Sequence, residues 1–117
     1  MTTTAGKVWG NTQKIFARNN VEFHRIFVKE GGYCSNHCHK HKHNGFWVER
    51  GALSVEVAKN DYGLVDVTLL MAGDYMEVAP GEFHRFKALQ DTVAYEIYFV
   101  ELDANDIVRE DHGGVKT

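Results

Sequence analysis

His37, His39, His41 and His43 occupy every second position of the run Tyr33-Cys-Ser-Asn-His-Cys-His-Lys-His-Lys-His-Asn44. Imidazole is the commonest metal-binding side chain. In an extended strand residues two apart share a face, so this spacing aims several ring nitrogens at one divalent ion. The competing reading is a solvent-facing His/Lys loop that scavenges metal as a tag does. Cys34 and Cys38 sit at even positions among odd histidines. The same alternation turns them to the opposite face, which makes thiolate ligation the weaker option. Four residues apart in one strand, they lie beyond disulfide reach and read as free thiols.

A fold must hold that run, and the chain of 117 residues, 44% hydrophobic and 12% aromatic, is one domain's worth with enough apolar content for a core. Its net charge of −3 includes no basic stripe, so nucleic acid is not an expected partner. No apolar run is long enough to cross a bilayer, and the first residues lack the apolar core of a signal peptide. The expectation is a cytoplasmic protein with no membrane partner. Lys40, Lys42, Arg85 and Lys87 alternate with their neighbours and read as solvated.

The hydrophobic pattern has period two and is broken by turn residues every eight to twelve positions, as in an all-β sandwich or barrel. Strands are predicted over Lys14–Arg18, Val21–Val28, Phe46–Arg50, Ala52–Ala58, Leu64–Met71, Tyr75–Ala79, His84–Ala88 and Thr92–Leu102. The last is the most apolar and is expected to be central. Asn19-Asn20 and Lys59–Gly63 read as turns. His24 shares a face with Ile26 and Val28 and reads as a hydrogen-bonded core histidine. A short helical turn is predicted over Asp103–Arg109. Residues 1–20 form an N-terminal strand arm, about 21–110 the core, and 111–117 a loose tail. The segment around Val8, Trp9, Ile15 and Phe16 has few partners in so small a barrel, and this predicts a homodimer.

Gly32, His37-x-His39, Asn44 and Gly51 resemble the first motif of the cupin superfamily. Gly73-Asp74 with Pro80-Gly81-Glu82-Phe83-His84 resembles the second. The interval between them, one hairpin, also resembles the family's. The likeness implies a single-domain cupin jelly-roll barrel over residues 1–117, with metal in one mouth. It makes His37, His39 and His84 the metal ligands, with His43 or Asn44 as the fourth. Asn44 stands where cupins usually carry glutamate, and is a weaker, neutral donor. A narrower likeness is to the cupin domain of type II mannose-6-phosphate isomerases and mannose-1-phosphate guanylyltransferases. It is carried by Phe46-Trp47 to Gly51, Pro80 to Arg85, Glu96-Ile97 and above all Asn105-Asp-Ile-Val-Arg109.

Three protein ligands with open positions make a catalytic rather than a structural metal site. The cofactor expected is one divalent ion: zinc, manganese, iron, nickel or cobalt. An aldose–ketose isomerase also needs a base, and the candidates are Glu96, His41 and Glu49. Glu96 lies on an apolar strand, where an unpaired carboxylate is costly. It faces either a site or an arginine such as Arg25 or Arg85. Glu49, beside Arg50, reads as solvent-facing. The isomerase likeness gives Arg109 a phosphate to bind; the alternative is a surface cation closing a short helix. Three functions stand open: a sugar-phosphate isomerase; another metal-dependent enzyme on the same scaffold, an oxygenase or lyase; and a non-catalytic module binding a sugar or other small molecule.

Overall fold

The structure is a computed structural model that describes residues 3–59, 63–100, 105–106, 108–110 and 113–116. Nine strands follow one another: β1 (Thr3–Lys7), β2 (Gly10–Arg18), β3 (Val21–Val28), β4 (His43–Arg50), β5 (Ala52–Ala58), β6 (Val65–Met71), β7 (Tyr75–Val78), β8 (His84–Ala88) and β9 (Thr92–Phe99). The pairing is antiparallel throughout, in a six-stranded sheet ordered β1-β2-β3-β9-β4-β7 and a three-stranded sheet ordered β6-β5-β8. The predicted bounds of β3, β5 and β8 are those observed, and β9 lies between β3 and β4 as its apolar composition implies.

No helix occurs among the described residues, and so none that is long and apolar enough to cross a membrane. The turn at Lys59–Gly63 and the helical turn at Asp103–Arg109 fall largely outside the described residues. Of the latter, Asn105 lies in a turn and Arg109 is exposed.

Alternation decides which residues enter the core. His24, Ile26 and Val28 on β3, Asn44, Phe46 and Val48 on β4, and Ala94, Glu96 and Tyr98 on β9 share the inner face of the large sheet. Leu53, Val55 and Val57 on β5 meet them with Phe86 and Ala88 on β8. Burying each large aliphatic side chain here contributes about 1.5–3 kcal/mol. β1 and β2 extend the large sheet at its β3 edge. Of the segment expected to need a second chain, Trp9 is buried within this one, edge-on to Phe86 at 5.0 Å, whereas Val8 and Phe16 are exposed.

Two motif glycines are required by close approach. A Cβ on Gly51, at φ +101°, would stand 2.5 Å from the Asp91 carbonyl oxygen. One on Gly32 would stand 2.8 Å from the Lys29 carbonyl oxygen and 3.0 Å from the Trp9 Cβ.

Candidate metal centre

The histidine run departs from the extended strand its spacing predicts. Residues 34–42 belong to no strand; the segment is a loop hydrogen-bonded along β8. Ala88 N–H donates to the Gly32 carbonyl at 2.9 Å and Cys34 N–H to that of Phe86 at 3.2 Å. His37 and His84 exchange both backbone bonds, at 3.0 and 2.8 Å. Gly81 N–H then donates to the His39 carbonyl at 2.7 Å. The two sequence motifs are thus tied together by main chain before any side chain meets.

Between the Cys34 and His37 pairings the loop has one residue more than β8 does. The extra residue reverses the parity of the loop, so Cys34 and His37 both turn inward, against the expectation that they face opposite ways. Cys34 is nonetheless outside the group of close ligand atoms formed by His37, His39 and His84. Its sulfur accepts a hydrogen bond from Phe86 N–H at 3.2 Å, and burial pushes its thiol pKa up to about 11. Both cysteines are free, as the sequence implies.

His37, His39 and His84 each offer a ring nitrogen, and these three atoms lie within 4.8 Å of one another. His37 and His84 place Nδ1 against carbonyls, those of Ser35 at 2.8 Å and Glu82 at 2.9 Å. A carbonyl only accepts, so each Nδ1 carries the proton and each Nε2 keeps its lone pair for a metal. Burial lowers the pKa of His84, and that of His39 falls to about 4, through burial first and then the charges of Lys42, His37 and His84. These rings are neutral at physiological pH, the form that ligates.

Two features of the donor set fit a divalent cation. His39 Nε2 is buried and has no hydrogen-bond partner among the described residues. His84 Nε2 also faces Asn44 Oδ1 at 3.0 Å, two lone pairs with no proton between them. Turning the Asn44 amide over would set its oxygen against Glu96, to which its nitrogen now donates at 3.4 Å. A cation held by the three Nε2 atoms and Asn44 Oδ1 resolves both features.

Asn44, 1% exposed, reaches the cluster because it shares the inward face of β4 with Phe46 and Val48. His43 is on the opposite face, stacked on Phe99 at 5.1 Å. His41 is exposed at a bend. Neither these two nor Arg109 is brought to the three imidazoles.

Beside the cluster lies a chamber of about 520 Å³, into which Glu96, Tyr98, His24 and Lys42 project. Glu96 is 7% exposed. It takes a hydrogen bond from the Tyr98 hydroxyl at 2.7 Å as well as that from Asn44. It is not paired with Arg25 or Arg85, which bind Glu49 and Glu56 respectively. Burial and the Glu96 charge raise the Tyr98 pKa, keeping that hydroxyl protonated as donor. His24 Nε2 lies 3.0 Å from Glu22 Oε2, which lowers the pKa of Glu22; the histidine is hydrogen-bonded as predicted, but half-buried at the chamber rather than in the core.

Sequence reasoning missed Tyr98 and Lys42. Tyr98 was legible, since it follows Glu96 by two on β9. Lys42 had no signal, because the loop abandons the alternation that made it look solvated; its ammonium lies 4.1 Å from the centre of the Tyr98 ring.

Several solved structures share this architecture at low sequence identity. KdgF from Halomonas sp. is 15% identical with a TM-score of 0.72, covering 86% of this chain and 89% of that one. CapF from Staphylococcus aureus, a capsular polysaccharide assembling protein, is 15% identical with a TM-score of 0.73 over 91% of this chain. Oxalate decarboxylase from Bacillus subtilis, a protein with Mn(II) centres, is 17% identical with a TM-score of 0.74 over 85% of this chain. The chain spans 32% of the CapF chain and 27% of the oxalate decarboxylase chain. No protein-family model and no curated protein matches the sequence. KdgF, CapF and oxalate decarboxylase are cupin-fold proteins, and the fold they share with this chain makes it a single-domain cupin barrel.

Proposed function

We propose that the protein is a metal-dependent enzyme that moves a proton on a small, oxygen-rich substrate, with Glu96 as the proton-transfer group. The observation that carries this reading is the setting of Glu96. Its carboxylate is buried in the chamber beside the imidazole cluster, held by Tyr98 at 2.7 Å and Asn44 at 3.4 Å, with no cation paired to it among the described residues. A buried carboxylate without a counter-charge is costly, and such groups are kept where they serve a reaction. The bound metal would polarise a carbonyl or hydroxyl oxygen of the substrate and so acidify the adjacent C–H.

The residues of the chain divide the remaining work. Tyr98, held protonated by its surroundings, fixes one Glu96 oxygen and leaves the other free to take and return a proton. Asn44 links Glu96 to the His84 side of the cluster, fixing the distance between base and metal. Phe46 and Phe86, both buried in the core, give the site apolar neighbours, the Phe46 ring standing edge-on to His84 at 6.3 Å.

Within this class the likeness of Asn105–Arg109 and the two motifs to type II mannose-6-phosphate isomerases favours aldose–ketose isomerisation of a sugar phosphate. KdgF, CapF and oxalate decarboxylase support an enzyme on this scaffold without choosing the reaction. The test incubates tag-free protein, loaded in turn with zinc, manganese, iron, nickel or cobalt, with mannose 6-phosphate in deuterated water. Proton NMR should show fructose 6-phosphate and deuterium at the carbon beside the carbonyl. Glu96→Gln should lower kcat by about 10²–10⁴ with KM and metal content little changed. Absence of turnover with every metal, beside measurable binding of sugars, would replace the enzyme by a binding module.

A further inference from the structure

A second cavity, of about 500 Å³, adjoins the metal chamber. Glu22, His39, Lys42 and Tyr98 line both. The second cavity is otherwise built from the β2–β3 turn (Arg18, Asn19 and Asn20), the loop from Cys38 to Lys42, and the end of β9. These elements are remote in sequence, and the fold brings three cations together there: Arg18, Lys40 and Lys42.

None of the three forms an ion pair among the described residues. Arg18 has a hydrogen bond to the Ala17 carbonyl at 3.3 Å, and Lys42 lies over the face of Tyr98, where its charge also helps to lower the pKa of Glu22. The described carboxylate in the lining, Glu22, is already engaged by His24 at 3.0 Å. In a chain of net charge −3, this leaves a concave site with a local excess of positive charge, and the two asparagine amides add neutral donors.

The position matters as much as the charge. Lys42 sits on one side of the Tyr98 ring, while His39, one of the three clustered imidazoles, meets that ring edge-on at 5.2 Å. His39 lines this cavity as well as the metal chamber, so one imidazole of the cluster borders the cations.

We propose that this cavity is an anion subsite that receives a phosphate monoester on the far end of the substrate. The inference deepens the proposed function and rests on it. Charge selects phosphate over carboxylate: a phosphate ester carries about −1.5 to −2 at neutral pH, matching three cations against one carboxylate, whereas a carboxylate would leave the site positive. Arg18 supplies the planar fork, and Lys40 and Lys42 supply point charges. Arg109, exposed on the described chain, is not needed for this contact.

The experiment titrates inorganic phosphate, and separately acetate, into metal-loaded, tag-free protein and follows backbone amides by NMR. Phosphate should shift the amides of Asn19, Asn20 and Lys40 to Lys42 saturably, and acetate should bind more weakly. Arg18→Ala/Lys42→Ala should weaken phosphate binding about ten-fold or more while metal content stays at one per chain. The proposal is overturned by shifts centred on His37 and His84, by equal affinity for acetate and phosphate, by undiminished binding in the double variant, or by no saturable shift at all. Elemental analysis separates the two readings: phosphate bound at the turn by a chain that holds no metal removes the proposed function and leaves the subsite standing.

Discussion

The histidine run contains two pairs of the same chemistry and the same spacing, and the fold uses them differently. His37 and His39 are carried inward by a loop hydrogen-bonded to β8, where they meet His84. His41 is left at an exposed bend, and His43 enters β4 on its outer face to stack on Phe99. Residue type and periodicity are equal in the two halves. What differs is the backbone partner: the first pair lies along a strand that itself carries a ligand, and the second does not. A histidine becomes a ligand by facing others, and that is a property of pairing register.

The comparison breaks most sharply in metal content. His39→Ala and His84→Ala should each lower metal affinity by about 100-fold or more, since losing even an orienting partner of a ligand costs 10–100-fold. The double variant His41→Ala/His43→Ala should keep one metal per chain. Elemental analysis after exhaustive dialysis reads both, and the reverse pattern would restore the tag-like reading of the run.

Asn44 sharpens the same contrast from the β4 side. Asn44→Asp keeps the shape and adds a charged donor at the position facing His84, so metal should bind about ten-fold tighter, as charge count in the ligand set dictates. The metal-free variant should be less stable than the wild type, because the new carboxylate faces Glu96 across the present 3.4 Å contact. Competition with a chelator and thermal melts measure the two effects. A variant with unchanged metal affinity would remove Asn44 from the ligand set.

The smallest effect is on the acid stability of the metal-free protein. His39 titrates near 4 when folded, and His84 is also lowered, whereas an unfolded histidine titrates near 6.5. Between these values the unfolded chain binds more protons, so stability rises with pH across the window and is lost as pH falls from about 6.5 toward 4. Melting temperatures of chelated protein should fall over that range, and His39→Ala should flatten the slope.

Much of the fold was legible because strands declare themselves locally. Ala52–Ala58 and His84–Ala88 alternate without interruption, Val21–Val28 is rich in β-branched and aromatic residues, and each is bounded by a glycine, an asparagine or a proline turn. The same rule failed at residues 34–42. There the odd/even assignment sent Cys34 outward and kept Lys42 in solvent, whereas one extra residue between two backbone pairings buried the first and drew the second over Tyr98.

The sequence by itself determined an all-β chain, two glycine-bounded motifs and a histidine run suited to a divalent ion, since period, turn chemistry and ligand softness are properties of residue types and short spacings; the motifs' resemblance to cupins added His84. Tertiary structure alone decided that Asn44 rather than His43 faces the cluster, that Glu96 stands buried without an arginine, and that Arg18, Lys40 and Lys42 surround a second cavity. Each of these depends on which strands lie side by side and in what register. A shift of one residue exchanges the two faces of a strand, and no local pattern reports that pairing in advance.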